Sequence, residues 1–108
     1  MRVAVVGPVD RRVRDIARYI PDGTKEMIVA NLHGICLQAL KWADQHNMPR
    51  VVVSRDFVPS DQGALSYLRA VVSEADLVVL IDDKRSDEVR IAKQYAQLMR
   101  KELETTYI

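Results

Sequence analysis

The stretch LVVLIDD, residues 77–83, decides the fold. Its first five residues are all apolar and lack the polar alternation of a strand with one face in water, so they are typical of a strand buried on both faces. Shorter apolar runs precede it, and the four predicted strands are Val3–Val6, Met27–Ala30, Val51–Val53 and Leu77–Ile81. The chain is therefore expected to form a sheet that is covered on both sides.

Helical periodicity fills the segments between these strands. Apolar residues recur there at intervals of three and four; they are Val13, Ile16, Ala17 and Ile20, then Ile35, Ala39, Trp42 and Ala43, then Leu65, Leu68, Val72 and Ala75. The alternation of strand and helix predicts right-handed crossovers and helices on both faces of the sheet. We predict one Rossmann-like α/β domain over 1–108, with a mainly parallel sheet of four or five strands.

A last helix is predicted to begin after Ser86, which suits an N-cap, and to run to about Leu103. Asp87 and Glu88 place negative charge in its first turn, where the helix dipole favours it. Its apolar residues form two stripes, Val89, Ala92, Ala96, Met99 and Leu103 beside Ile91, Tyr95 and Leu98. The second stripe has two interpretations: a homodimer interface, or a surface covered by the tail folding back as a short edge strand through Tyr107 and Ile108.

Composition argues against several classes of protein. Hydrophobic residues make up 48% and charged residues 29%, as in ordinary globular proteins. Sixteen basic residues against fifteen acidic ones leave a net charge of +1, which argues against nucleic acid as a partner. The apolar run in the opening MRVAVVGPVD is too short for a signal peptide or a membrane span. Cys36 is the only cysteine, so no internal disulfide can form. We therefore expect a cytoplasmic protein with no membrane partner.

Ligands of open parallel sheets bind beyond the carboxyl ends of the strands. Seven residues of the loops there form the predicted ligand-binding set: Gly7, Asn31, His33, Gly34, Ser54, Arg55 and Ser86. Gly7 lets a phosphate approach backbone amides, and Gly34 with His33 opens the next helix, whose free amides suit an anion. Arg55 suits a phosphate and Asp56 a hydroxyl. The structural alternatives are a tight turn at Gly7, a non-catalytic His33, and an Arg55–Asp56 pair.

Other polar residues carry less specific signals. Four arginines put positive charge on the predicted first helix, either to attract a phosphate or, as the pattern favours, as a solvated face; they are Arg11, Arg12, Arg14 and Arg18. His46 is placed near the end of the helix that contains Trp42, where a protonated ring suits the dipole. No histidine or cysteine stands at metal-ligand spacing from His33. The sequence identifies no catalytic residue, no metal and no cofactor.

The order of the segments resembles the SLOG superfamily, a Rossmann-like group that includes cytokinin-activating phosphoribohydrolases, DprA-type DNA processing proteins and molybdenum-cofactor carriers. The resemblance lies in MRVAVVG, in IVANLHGICLQALKWADQHNMP and in SEADLVVLIDD. Small members carry Gly-Gly-Ala-x-Gly-x-Asp after the second strand, where this chain has residues 30–36 and keeps only Gly34. They carry a phosphate-cradling Gly-Thr before the last helix, where this chain has Ser86, Asp87 and Glu88.

This resemblance implies a divergent member that binds a small nucleotide-derived or other anionic ligand at the carboxyl ends of the strands, without strong catalysis. Two alternatives stand beside it. Glu88, Val89 and Ala92 match the spacing of the last helix in nucleoside deoxyribosyltransferases, which implies an N-glycoside-cleaving enzyme with Glu88 as its nucleophile. The second alternative is an assembly module that binds no ligand and forms a homodimer through the last helix.

Overall fold

The structure is a computed structural model, and it describes residues 1–54 and 65–108. In chain order its elements are β1 (Arg2–Val6), one 3₁₀ turn (Ile16–Tyr19), β2 (Glu26–Ala30), α1 (Ile35–Gln45), β3 (Arg50–Val53), α2 (Tyr67–Ser73), β4 (Leu77–Asp82), α3 (Asp87–Leu98) and β5 (Glu102–Tyr107). The five strands form one all-parallel sheet in the order β3-β2-β1-β4-β5. The predicted Rossmann-like α/β class is confirmed.

The core has two apolar clusters, one on each face of the sheet. Successive side chains of a strand point to opposite faces, so Ala4 and Val6 of β1 belong to one cluster and Val3 and Val5 to the other. Helices α2 and α3 cover the first cluster, and α1 with the 3₁₀ turn covers the second. Because the central strands β1, β2 and β4 are buried on both sides, their sequences are continuous apolar runs.

Strand β3 differs from the predicted buried run because it is an edge strand. Its residues alternate between exposed and half-buried, and Val52 keeps 45% of its surface exposed. Three consecutive valines therefore indicate a strand here but do not indicate its place in the sheet.

The helix predicted over Val13–Ile20 is wrong. The backbone N–H of Val13 donates to the Gln38 side-chain oxygen at 2.9 Å, and the Gln38 amide donates to the Val13 carbonyl at 2.8 Å. The second bond takes a carbonyl that a helix starting at Val13 would use, and residues 11–15 form no helix before Asp15 caps the single 3₁₀ turn. Arg11, Arg12 and Arg14 consequently lie on a loop, and only Arg18 belongs to the turn.

The predicted end of the last helix is also wrong. Helix α3 ends at Leu98, and Arg100 reverses the chain with a left-handed φ of 56°. Residues 102–107 then pair in parallel with β4, so the edge-strand interpretation of the tail is confirmed. Ile91 and Tyr95 are half-buried against the first core cluster, whereas Leu98 remains 79% exposed. The second apolar stripe is thus mostly absorbed into the fold.

Candidate ligand-binding crevice

A crevice lies at the point where the strand order reverses. From β1 the chain proceeds to β2 and β3 on one side, and it returns to β4 and β5 on the other. Val6 pairs with Leu80, so the loops that follow β1 and β4 leave the sheet side by side. In open parallel sheets this divergence leaves a cleft that binds ligands. Here the cleft has a volume of about 640 Å³, and we call it the crevice.

Three groups of residues line the crevice. The loop after β1 contributes Val9, Asp10 and Arg11, and residues 83 and 85–88 contribute the opposite wall. Ile108, which follows β5, contributes one side. Both walls thus consist of loop and helix-start residues held by the ends of central, buried strands, which is the arrangement of a preformed binding site.

Two aspartates shape the loop between β4 and α3. The Asp82 carboxylate accepts the N–H of Lys84 at 2.7 Å, and the Asp83 carboxylate accepts the N–H groups of Arg85 and Ser86, each at 2.9 Å. These are local Asx-type turns, and they hold Lys84 in a left-handed conformation with φ of 66°. The hydrogen bond from the Arg85 N–H, assisted by that from Ser86 and by the charge of Arg11, lowers the pKa of Asp83.

Ser86 begins helix α3 as the sequence predicted. Its hydroxyl oxygen accepts the N–H of Val89 at 3.4 Å, which satisfies one of the free amides of the first turn. The same hydroxyl donates to the Glu88 carboxylate at 2.9 Å. Glu88 is half-buried and lines the crevice, so this bond fixes a carboxylate at the opening of the site.

The wall after β1 is fixed by contacts with helix α1. The N–H of Ile35 donates to the Pro8 carbonyl at 3.3 Å, and Gln38 holds Val13 at the far end of the loop. Gly34, with φ of 68°, packs so closely that an added Cβ would lie 2.4 Å from the Pro8 oxygen. Gly7 is buried, and a Cβ there would lie 2.8 Å from the side chain of Ile35. Arg11 is therefore held on a loop with defined anchor points.

The crevice contains both signs of charge, with negative charge in excess. Its carboxylates are Asp10, Asp83, Asp87 and Glu88, and its cations are Arg11 and Arg85. Four carboxylates against two guanidinium groups give a net charge of −2. Among the described residues, neither guanidinium has a carboxylate within ion-pair distance, whereas Asp87 pairs with Arg90 at 3.1 Å. The two arginines, one on each wall, are thus available to an incoming anionic group.

Of the seven predicted ligand-binding residues, the structure brings Ser86 into this crevice. Gly7 and Gly34 lie behind the wall that carries Arg11, where their missing side chains allow the loop and α1 to pack together. The start of α1 is accordingly closed on one side, since its Ile35 amide bonds the Pro8 carbonyl rather than pointing into open space.

Three of the other predicted residues, Asn31, His33 and Ser54, lie at the β2 and β3 end of the sheet. Asn31 is exposed and donates its N–H to the Val53 carbonyl at 2.8 Å, and His33 is exposed beside it. Ser54 lines a separate cleft of about 430 Å³ next to β3 and α2. Arg55 and Asp56 lie outside the described residues. The structure therefore does not gather the predicted set into one site.

The isolated cysteine and the second histidine have structural positions. Cys36 is buried, and burial raises the pKa of its thiol to about 11, although backbone hydrogen bonds from Gly7 and Ala30 act in the opposite direction. His46 caps the end of α1 as predicted, its Nδ1 lies 2.8 Å from the Trp42 carbonyl, and its ring stacks on that of Trp42 at 4.3 Å. Within residues 1–54 and 65–108, no three His, Cys, Asp or Glu side chains are placed to hold a metal ion.

Sequence reasoning missed the crevice residues Asp10, Arg11 and Arg85 as members of the binding set. Asp10 and Arg85 belong to loops that the sequence indicates, whereas Arg11 was predicted on a helix. The signal that unites the three is the strand order, which places the β1 and β4 loops together. A prediction from strand order would have given these residues priority over Asn31 and Ser54.

The fold and the crevice define a Rossmann-like α/β domain with a cleft at the topological switch point. Comparison of the chain with protein-family models, with curated proteins and with solved structures gives no match. The resemblance to the SLOG superfamily stays a prediction. In the described part of the chain, no helix is both long enough and apolar enough to cross a membrane.

Proposed function

We propose that this chain binds a small nucleotide-derived ligand in the crevice between the β1 and β4 loops, without strong catalysis. The observation that carries the proposal is the pair of guanidinium groups, Arg11 and Arg85, that line the crevice from opposite walls without ion-pair partners among the described residues. Guanidinium groups present forked donors that match phosphate and carboxylate oxygens.

The carboxylates of the crevice define the rest of the ligand. Asp10 and Glu88 are acceptors, and the hydroxyl groups of a sugar are the donors that such carboxylates bind in dinucleotide sites. A bare, highly charged anion is a poor fit, because the net charge of the crevice is negative. A ligand with one phosphate and a ribose offers an anion to the two arginines and hydroxyl donors to the carboxylates. A nucleoside monophosphate is the simplest such compound.

Calorimetric titration with AMP and with a nucleotide sugar tests this proposal. We expect saturable binding by the native chain and an affinity about tenfold lower for Arg11→Gln, since one hydrogen-bonded charge is worth about 1.5 kcal/mol or more. Arg12→Gln is the matched control, because Arg12 is exposed on the same loop but does not line the crevice. Absence of saturable binding, or equal affinities for the native chain and Arg11→Gln, would contradict the proposal.

A catalytic alternative is favoured by the placement of Glu88. The carboxylate is half-buried, lines the crevice and accepts the Ser86 hydroxyl. In this alternative Glu88 forms a bond to the anomeric carbon as the N-glycosidic bond breaks, the base leaves and takes a proton from water, and a second water hydrolyses the ester. Base release from deoxynucleosides should then disappear in Glu88→Gln and persist in Glu102→Gln. Release that is absent from the native chain, or unchanged in Glu88→Gln, would exclude it.

We also propose a homodimer, with an interface smaller than the two apolar stripes of the last helix predicted. Leu98 at the end of α3 is 79% exposed, and β5 beside it is an open edge of the sheet. Leu98→Lys is the clean probe, because Tyr95 also packs against the core and its replacement would destabilise the monomer. Sedimentation velocity should give a dimer for the native chain and a monomer for Leu98→Lys. A native monomer would remove this proposal.

A further inference from the structure

A second cleft lies on the β5 side of the loop that joins β4 to α3. Its volume is about 650 Å³, and it is separate from the crevice except for the shared Arg85 and Ser86. Four cations line it, Lys84 and Arg85 from the loop and Arg90 and Lys93 from α3. Asp82 is its one carboxylate, and the ring of Tyr107 in β5 completes it. We call it the basic cleft.

The basic cleft has a larger positive charge than the chain as a whole. Four cations against one carboxylate give a net charge of +3, which exceeds the net charge of +1 of the whole chain. Arg90 and Lys93 are three positions apart, so they lie on one face of α3. The neighbouring crevice has a net charge of −2, so the loop 82–86 separates two cavities of opposite sign.

The fold neutralises this charge only in part. Arg90 pairs with Asp87 at 3.1 Å, and the ammonium of Lys84 lies 5.3 Å from the centre of the Tyr107 ring, a cation–π contact. Asp82 already accepts the Lys84 N–H. Across residues 1–54 and 65–108, no carboxylate lies within ion-pair distance of Arg85 or Lys93. Like charges gathered around one cavity repel one another, and a bound anion removes that repulsion.

We infer that the basic cleft is a diphosphate-binding site, for inorganic pyrophosphate or for the phosphate chain of a nucleotide. A diphosphate carries about three negative charges at neutral pH, opposite in sign to the cleft, whose cations other than Arg90 have no ion-pair partner among the described residues. The guanidinium of Arg85 presents a fork to one phosphate, and the ammonium groups of Lys84 and Lys93 act as point charges. Tyr107, 57% exposed, places an aromatic ring beside the site that a nucleotide base can contact. The two cavities share Arg85, so the inference is tested with Lys84 and Lys93, which line the basic cleft and not the crevice.

The test is a titration of the native chain with inorganic pyrophosphate and with ADP at low salt, followed by amide chemical shifts and by calorimetry. We expect saturable binding of at least one of the two, and pyrophosphate should shift the amides of residues 89, 90, 93 and 107, which line only the basic cleft, and leave those of residues 9–11 of the crevice unchanged. The double variant Lys84→Gln with Lys93→Gln should lower the affinity about a hundredfold, about tenfold for each hydrogen-bonded charge. Lys84 is exposed and Lys93 is partly buried, and neither pairs with a carboxylate among the described residues, so the variant should keep the circular dichroism of the native chain.

Two controls separate this site from other sources of binding. Arg11→Gln changes only the crevice, and Lys41→Gln removes a charge from the exposed face of α1, so both should bind pyrophosphate with affinities within about twofold of the native value. Loss of ADP binding with Tyr107→Leu, without loss of pyrophosphate binding, would identify a nucleotide as the ligand, and equal effects on both would identify pyrophosphate. Absence of saturable binding by both compounds, or native affinity in the double lysine variant, would overturn the inference.

Discussion

Gly34→Ala should be among the most destabilising single changes in this chain. The glycine has φ of 68° and ψ of −131°, a conformation that costs an L residue about 1–3 kcal/mol. Its new Cβ would also lie 2.4 Å from the Pro8 oxygen and 2.8 Å from the Arg11 oxygen. These are backbone atoms, so the loop itself must move, at a cost of about 1–3 kcal/mol. Together the two terms lower the free energy of unfolding by about 4 kcal/mol.

Gly23→Ala is the matched control for this prediction. Gly23 also has a left-handed φ, of 84°, but nothing lies within 4 Å of an added Cβ. It should therefore lose about 1 kcal/mol from the backbone term alone. Urea unfolding, followed by Trp42 fluorescence and circular dichroism, should place the Gly34→Ala midpoint about 2 M below that of Gly23→Ala, for a slope of about 1.5 kcal/mol per M. Equal midpoints would refute the steric argument and with it the close packing of α1 against the crevice wall.

Three further predictions concern the thiol, the helix cap and the acid stability. Cys36, buried and with its pKa raised to about 11, should not react with a disulfide reagent at about pH 8 in the folded chain and should react fully in urea; rapid reaction before unfolding would contradict its burial. Ser86→Ala should lower the free energy of unfolding by about 1 kcal/mol and Ser86→Asp should not, and urea midpoints that do not separate the two variants would count against the cap. Because folding lowers the pKa of Asp83, its stabilising effect is full above the ordinary value of 3.8 and is lost as the pH falls through the lower folded value. Asp83→Asn should therefore lose less stability below about pH 4 than the native chain in acid titrations followed by circular dichroism, and equal losses would show that its hydrogen bonds are of no consequence.

The strands were predictable where burial on both faces determines the sequence. The runs of β1, β2 and β4 have no alternation because helices cover both sides of them, and the alternation of strand and helix then leaves few topologies. The two errors in the helices have causes that the local sequence does not indicate. Gln38, distant in sequence, captures the backbone of Val13, and Arg100 ends α3 with a left-handed φ at a position where no glycine announces it.

The site was less predictable than the fold, because its position depends on strand order rather than on local pattern. Asn31 and Ser54 follow β2 and β3, which lie to one side of β1, so loops that look equivalent in sequence are separated in space. Ser86 was placed correctly because its cap is a local signal. The opposite charges of the two cavities, by contrast, appear only when α3 and β5 are brought beside the β4 loop.

The central position of β1 also has a consequence for synthesis on the ribosome. The first three strands of the chain can pair as β3-β2-β1, but the other edge of β1 receives its partner only when residues 77–80 emerge. Until then Val3–Val6 form an apolar strand with unpaired backbone groups, the kind of edge that promotes aggregation of nascent chains. Arrival of β4 removes that hazard, and the same pairing brings the two walls of the crevice together, so protection from misassembly and completion of the crevice occur in one event.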